Sequence, residues 1–146
     1  RPGELIPLQH FAERFDAAKS TISEDLALVK EALEAQGSGL VRTYTGATGG
    51  VQYLPIPSPE EVRTTLEQLC TMLRDPSRIL PGGFIYMTDI ITDPVWSARI
   101  GEILAARFHA ASPGVVLTLE TKGIPLALMT ARAMGIPMVW PGVKAG

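Results

Sequence analysis

Cysteine is nearly absent from this sequence. Cys70 is the only cysteine among 146 residues, which excludes an internal disulfide. A chain with one thiol is typical of reducing compartments, so we expect a cytoplasmic location. Cys70 lies at helical spacing with Val62, Leu66, Leu69 and Leu73. This spacing predicts a side chain buried in the core rather than a nucleophile.

Charge is also scarce, at 19% of residues, and the formal net charge is −2. Nucleic-acid-binding domains are usually basic, so any DNA-binding site here must depend on local placement of charge. His10 and His109 have no Cys or His companions at metal-ligand spacing, so we expect no metal and no cofactor. No apolar run reaches 18 residues, and we expect no membrane-spanning helix.

Apolar residues make up 46% of the chain, enough for a packed core. The clearest internal boundary is the proline-rich stretch 55–59, which has three prolines in five residues. Proline disfavours both helix and central strand, so this stretch is predicted to be a stiff, extended linker. It divides the sequence into an N-terminal segment, residues 1–54, and a second part, residues 60–146.

The N-terminal segment is predicted to contain two helices followed by a β-hairpin. Pro7 suits the first position of the first helix. The second helix is expected to begin near Lys19, with Thr21 and Glu24 forming a capping box, and to end at Gly37. Two β-rich runs, 40–45 and 51–54, flank a glycine-rich turn at 46–50.

The second part has the alternating pattern of an α/β domain. Helices are predicted at 59–73, 94–111 and 124–134, and β-rich runs at 84–87, 114–119 and 136–140. The run 114–119 is almost continuously apolar, which is typical of a strand buried on both faces of a parallel sheet. A strand, a helix and a strand at this spacing predict a βαβ unit with parallel pairing.

A compact pair of helices followed by a glycine-tipped hairpin is the arrangement of a winged helix, whose second helix enters the DNA major groove. The candidate DNA-binding residues lie at the start of that helix and on the hairpin: Lys19, Ser20, Thr21, Ser23, Arg42, Thr48 and Gln52. Lysine and hydroxyl side chains can contact phosphates or base edges. The alternative is purely structural, with Thr21 and Glu24 only capping a helix.

A second candidate site lies between the apolar strand and the next helix. The loop consists of Glu120, Thr121, Lys122 and Gly123. Ligands of open α/β sheets bind at the carboxyl ends of strands, and such a loop can offer N–H groups and a cation to a phosphate. The alternative is an ordinary turn with a surface lysine.

Five short stretches, in this order, resemble the purine operon repressor family of bacteria. They are Glu4-Leu5-Ile6-Pro7-Leu8, Ala18-Lys19-Ser20-Thr21-Ile22-Ser23-Glu24-Asp25-Leu26, Gly46-Ala47-Thr48-Gly49-Gly50-Val51-Gln52-Tyr53, Arg78-Ile79-Leu80-Pro81-Gly82-Gly83 and Thr118-Leu119-Glu120-Thr121-Lys122-Gly123-Ile124-Pro125-Leu126. The resemblance covers nearly the whole chain. It implies an α/β protein with a winged-helix segment followed by part of a type I phosphoribosyltransferase-like domain.

The resemblance further implies a homodimeric repressor of purine biosynthesis genes. Such a protein binds double-stranded operator DNA through the turn at 19–24 and releases it when phosphoribosyl pyrophosphate binds. The loop at 120–123 would hold the effector phosphates, and no transferase activity is expected.

Two departures from the family pattern bear on these expectations. A basic helix precedes the Glu4-Leu5-Ile6-Pro7 stretch in the family and has no counterpart here, so the winged helix is expected to lack its first helix. The family's pair of adjacent acids after a strand, followed by Gly-Gly-Thr, is also absent. A catalytic phosphoribosyltransferase acting on a purine base is the alternative function, and an inert dimerising fragment is a third.

Overall fold

The computed structural model describes residues 3–46, 49–119 and 122–141. The N-terminal segment contains β1 (Leu5–Pro7), α1 (Leu8–Phe15), α2 (Lys19–Gln36), β2 (Leu40–Tyr44) and β3 (Gly50–Leu54). Its three strands form one antiparallel sheet in the order β1-β3-β2. A strand, two helices and a two-stranded wing follow one another as in a winged helix, which confirms the predicted fold of this segment.

The strand β1 has no counterpart in the sequence-based prediction. Pro7 is the last residue of this strand and pairs with Gly50, and the helix begins at Leu8. The prediction that Pro7 occupies the first helical position is therefore wrong. Proline is tolerated in β1 because the strand lies at the edge of the sheet, where a missing N–H costs no internal ladder bond.

The helix α2 begins at Lys19 as predicted, but its N-cap is Ala18, which offers no side-chain acceptor. The capping box predicted for Thr21 and Glu24 is wrong, because both residues already lie inside the helix. Gly37 ends the helix in the left-handed region, at φ 65°, as its position predicts. Only Ile22 of this helix is buried, so α2 presents most of its surface to solvent.

The sheet of the N-terminal segment is covered on both faces. In the antiparallel register, Val41 and Val51 lie on one face and Leu54 lies on the other. All three side chains are buried. The segment therefore uses both sides of a small sheet for packing.

The stretch from Pro55 to Ser58 has neither helix nor strand, and Pro59, the last residue of the predicted linker, is the first residue of a helix. The role of 55–59 as a linker between two domains stays a prediction. The helix α3 (Pro59–Leu73) follows, with Ser58 as its N-cap. Cys70 is exposed on α3, so its predicted burial is wrong. Helical spacing identifies an apolar stripe, but Thr65 is the only buried side chain of α3 among the described residues.

The rest of the second part contains a short hairpin and a βαβ unit. The hairpin strands are β4 (Ile79–Leu80) and β5 (Phe84–Ile85), followed by α4 (Thr88–Thr92), α5 (Pro94–Phe108), β6 (Val116–Leu117), α6 (Ile124–Met134) and β7 (Met138–Val139). The strands β6 and β7 pair in parallel across α6, as predicted.

The helices α5 and α6 pack closely along one another. A Cβ placed on Gly101 of α5 would come within 2.6 Å of the Cβ of Met129, so glycine permits this approach. Ala105, Ala133 and Met134 form the adjoining core, with Ile136 packed against it. None of the helices in the described ranges has the length and hydropathy that a bilayer crossing demands.

The strand β6 departs from its prediction of burial on both faces. Leu117 is 71% exposed and Leu119 is 69% exposed, and Val115 on the same face is also exposed. Within the described ranges β6 pairs only with β7, and no element covers this face. The apolar run thus forms an open surface on one side.

Candidate functional site

The start of α2 brings four of the predicted DNA-binding side chains together. Lys19, Ser20, Thr21 and Ser23 are all exposed and lie within the first five residues of the helix. Ala18 provides no side-chain acceptor, and no side chain in the part of the chain that the structure describes caps this end. The amino end of a helix carries partial positive charge and attracts anions such as phosphate. Hydroxyls, a cation and unoccupied N–H groups therefore share one exposed surface.

The wing places its predicted residues differently. Arg42 and Gln52 face each other in the β2–β3 register, and both are only half-exposed. Arg42 Nη2 donates to the carbonyl of His109 at 3.3 Å, and Gln52 Nε2 donates to the carbonyl of Gly3 at 2.7 Å. The hydroxyl of Tyr44 donates to Gln52 Oε1 at 3.0 Å.

The bonds to the carbonyls of His109 and Gly3 are part-buried and the Tyr44–Gln52 bond is exposed, and none of the three involves the start of α2. The roles of Arg42 and Gln52 as DNA contacts stay predictions. Thr48, the remaining wing residue of the predicted set, lies outside the described residues.

The described part of the candidate effector loop directly precedes α6. Glu120 and Thr121 lie outside the described residues, whereas Lys122 is exposed and Gly123 is the N-cap of α6. A Cβ on Gly123 would come within 2.7 Å of Thr118 Oγ1, so only glycine fits without displacing the threonine. Among the described residues no side-chain acceptor caps α6, and the amino end of a helix attracts anions.

Sequence reasoning missed a polar cleft of about 340 Å³ between α3 and α5. Its lining includes Glu61 and Thr65 from α3 and Arg99 and Glu102 from α5. Burial raises the pKa of the Glu102 carboxyl; nearby Arg132 lowers it and nearby Glu61 raises it further. The two acids stand far apart in sequence on separate helices, so no local pattern could have indicated that they share a cleft.

Burial also raises the pKa of the Tyr53 phenol, and the charges of Glu102 and Glu61 raise it further. This links the wing strand β3 electrostatically to the cleft between α3 and α5. Within the described ranges, no three His, Cys, Asp or Glu side chains gather in positions that could hold a metal ion.

Comparison with known proteins identifies relatives for both parts of the chain. Residues 1–55 match the model of the bacterial purine repressor N-terminal family. The chain is 44% identical over 138 residues to the purine biosynthesis transcriptional repressor PurR of Bacillus subtilis, covering 94% of this chain and 48% of that protein. It is 39% identical over 138 residues to the purine biosynthesis transcriptional activator PurR of Lactococcus lactis subsp. lactis, with 94% and 51% covered.

A shorter match joins the chain to enzymes. Over 47 residues it is 53% identical to a xanthine phosphoribosyltransferase of Geobacillus thermodenitrificans, covering 32% of this chain and 24% of the enzyme. The chain spans about half the length of the curated purine regulators that it matches.

Proposed function

Because the chain belongs to the purine operon repressor family, we propose that it forms the DNA-binding segment and part of the effector domain of a transcriptional regulator of purine biosynthesis genes. The observation that carries this proposal is the exposed start of α2, where Lys19, Ser20, Thr21 and Ser23 surround an uncapped helix end. This end lies within the residues that match the repressor N-terminal family.

In the proposed complex, the amino end of α2 enters the major groove of operator DNA. Lys19 meets a phosphate or a guanine edge, and the hydroxyls of Ser20, Thr21 and Ser23 bond to phosphates or bases. Glu24 and Asp25 follow immediately and are exposed. These two carboxylates repel phosphates, so the productive orientation presents the first turn of the helix rather than its side.

The effector in this proposal is phosphoribosyl pyrophosphate. Its phosphates would lie at the amino end of α6, where Lys122 supplies a cation and Gly123 leaves the backbone accessible. The similarity to a xanthine phosphoribosyltransferase supports a phosphoribosyl ligand for the second part. No other cofactor is part of the proposal.

The effector is proposed to weaken operator binding, which requires that it bind the DNA-incompetent state more tightly. We place the protein in the cytoplasm as a homodimeric repressor without transferase activity. The relatives are named as a repressor and as an activator, so the direction of regulation has to be measured.

The test measures binding of the full-length protein to labelled purine-operon DNA by fluorescence anisotropy, with and without phosphoribosyl pyrophosphate. We expect binding that is specific relative to a scrambled duplex and weaker with effector. Specific binding that the effector leaves unchanged would refute the effector part alone, and the absence of specific binding would refute the function.

Two further measurements separate the alternatives. Transcription in vitro from a purine promoter distinguishes repression from activation. A transferase assay with xanthine and phosphoribosyl pyrophosphate tests the catalytic alternative, which the short enzyme match favours. Turnover in that assay would contradict a purely regulatory protein.

A further inference from the structure

One face of the wing sheet borders the second part of the protein. Arg42, Tyr44, Gln52 and Leu54 occupy this face and line a cleft of about 140 Å³. The opposite wall comes from the segment after α5 and from α6 with its following loop: His109, Ser112, Pro113, Met134 and Ile136. The wing is therefore in contact with the elements that follow α5 and α6.

A chain of contacts ties the wing to the carboxyl end of α6. The amide of Gly3 donates to the carbonyl of Tyr53 at 2.7 Å, and Gln52 Nε2 donates to the carbonyl of Gly3. Gly3 in turn lies directly on Gly135, the C-cap of α6. A Cβ on either glycine would overlap the backbone of the other, so the two main chains are in direct contact.

The helix α6 thus has a different neighbour at each end. The candidate effector loop ends at Gly123, the N-cap of α6, and the wing is linked through Gly3 to Gly135, its C-cap. Eleven residues separate these caps, and a helix of that length spans about 16 Å. A helix that packs along α5 moves as a rigid body, so a shift at its amino end reaches the wing.

We propose that Arg42 and Gln52 are positioning residues that hold the wing on the carboxyl end of α6, so that ligand binding at the amino end of α6 reorients the wing. This inference rests on the proposed function. Gln52 uses both ends of its amide inside the protein, and Arg42 donates to the carbonyl of His109. Turning either side chain away from these internal partners to reach DNA would leave a partner unpaired.

The first test uses Gln52→Glu in the full-length protein. Glutamate keeps the shape and still accepts from Tyr44, but it cannot donate to the carbonyl of Gly3. We expect the amides of Gly135 and Ile136, which are hydrogen-bonded at the end of α6, to exchange with deuterium about tenfold faster. The ratio of operator affinity without phosphoribosyl pyrophosphate to that with it measures the effector response. We expect this ratio to be smaller in the variant by about threefold or more.

The second test separates positioning from direct DNA contact at Arg42. In Arg42→Met, the effector response is expected to shrink while the salt dependence of operator binding stays unchanged, and Arg42→Lys is expected to restore the response. Lys19→Ala is the matched control on the proposed DNA surface. It is expected to reduce the salt slope by about 0.9 and leave the effector response intact.

The outcomes are distinct. A shallower salt slope in Arg42→Met with a normal effector response would make Arg42 a DNA contact and overturn the proposal. Unchanged exchange at Gly135 and Ile136 in Gln52→Glu would also overturn it. If the wild-type protein ignores the effector, the proposed effector response fails and transmission through α6 fails with it; hydrogen exchange then still shows whether Gln52 holds the wing on α6.

Discussion

The two parts of the chain pack their sheets in different ways. In the N-terminal segment, three strands joined in one antiparallel sheet bury Val41 and Val51 on one face and Leu54 on the other. In the second part, the apolar strand β6 leaves Leu117 and Leu119 largely exposed. The run around β6 is more continuously apolar in sequence than either β2 or β3. The difference shows that an apolar run identifies residues suited to burial, whereas the elements packed around the strand determine whether burial occurs.

The sharpest test of this difference is the same substitution in each sheet. Leu54→Ala removes a side chain that is 5% exposed and is expected to lower the free energy of unfolding by about 2 to 5 kcal/mol. Leu117→Ala, at 71% exposure, is expected to change it by less than about 0.5 kcal/mol. Urea denaturation measures both, and equal losses would mean that Leu117 is covered in solution.

The two parts are also proposed to bind different ligands, and two lysines at corresponding helix starts can separate them. Lys19→Ala is expected to weaken operator binding about tenfold at low salt and to spare the effector response. Lys122→Ala is expected to raise about tenfold the concentration of phosphoribosyl pyrophosphate that produces the half-maximal response. Operator binding without effector is expected to be unchanged. Anisotropy titrations of both variants test this, and a shared defect would contradict the division of roles.

A smaller effect is expected from exchanging helix caps between the two parts. Ser58 caps α3 by accepting from the amide of Glu61 at 3.2 Å, whereas Ala18 offers nothing to α2. Ser58→Ala is expected to cost about 1 kcal/mol of stability. Ala18→Ser is expected to raise the melting temperature, because the new hydroxyl accepts a hydrogen bond from the N–H groups at the start of α2. It is also expected to weaken operator binding, because the same N–H groups are proposed to bind phosphate. Unchanged operator binding would remove those N–H groups from the interface.

The smallest expected effect is a pH dependence at the start of α3. Hydrogen bonds from Ser58 hold the pKa of the Glu61 carboxyl below its usual 4.5. A lowered pKa in the folded state means that its stabilisation is complete above about 4.5 and is lost as the pH falls through the folded pKa. Glu61→Gln should therefore lose less stability than the wild type between about pH 6 and pH 3. Parallel acid-induced losses would exclude this contribution from Glu61.

Much of the fold followed from local signals. Gly37 ended α2, Pro59 with two glutamates marked the start of α3, and the spacing around α6 predicted the parallel β6–β7 pair. The strand β1 escaped prediction because its pairing with β3 joins residues more than 40 positions apart. Ala18 is the N-cap instead of Thr21 because the helix begins three residues earlier than the capping pattern requires.

The candidate sites were predictable to different degrees. Exposed residues at helix starts, such as Lys19 and Lys122, depend on local sequence and lie where the sequence placed them. Arg42 and Gln52 have internal partners because the second part packs against the wing, which no residue near the wing reveals. The same limit applies to the cleft around Glu102, whose members come from two helices.

The exposed thiol of Cys70 has a practical consequence for studying this protein. As the only cysteine among these 146 residues, and one that lies on the surface of α3, it accepts a single fluorophore or spin label without mutagenesis within this stretch. The helix α3 follows the linker that leaves the wing. A probe at Cys70 therefore offers a spectroscopic view of the junction between the two parts while DNA or effector is titrated.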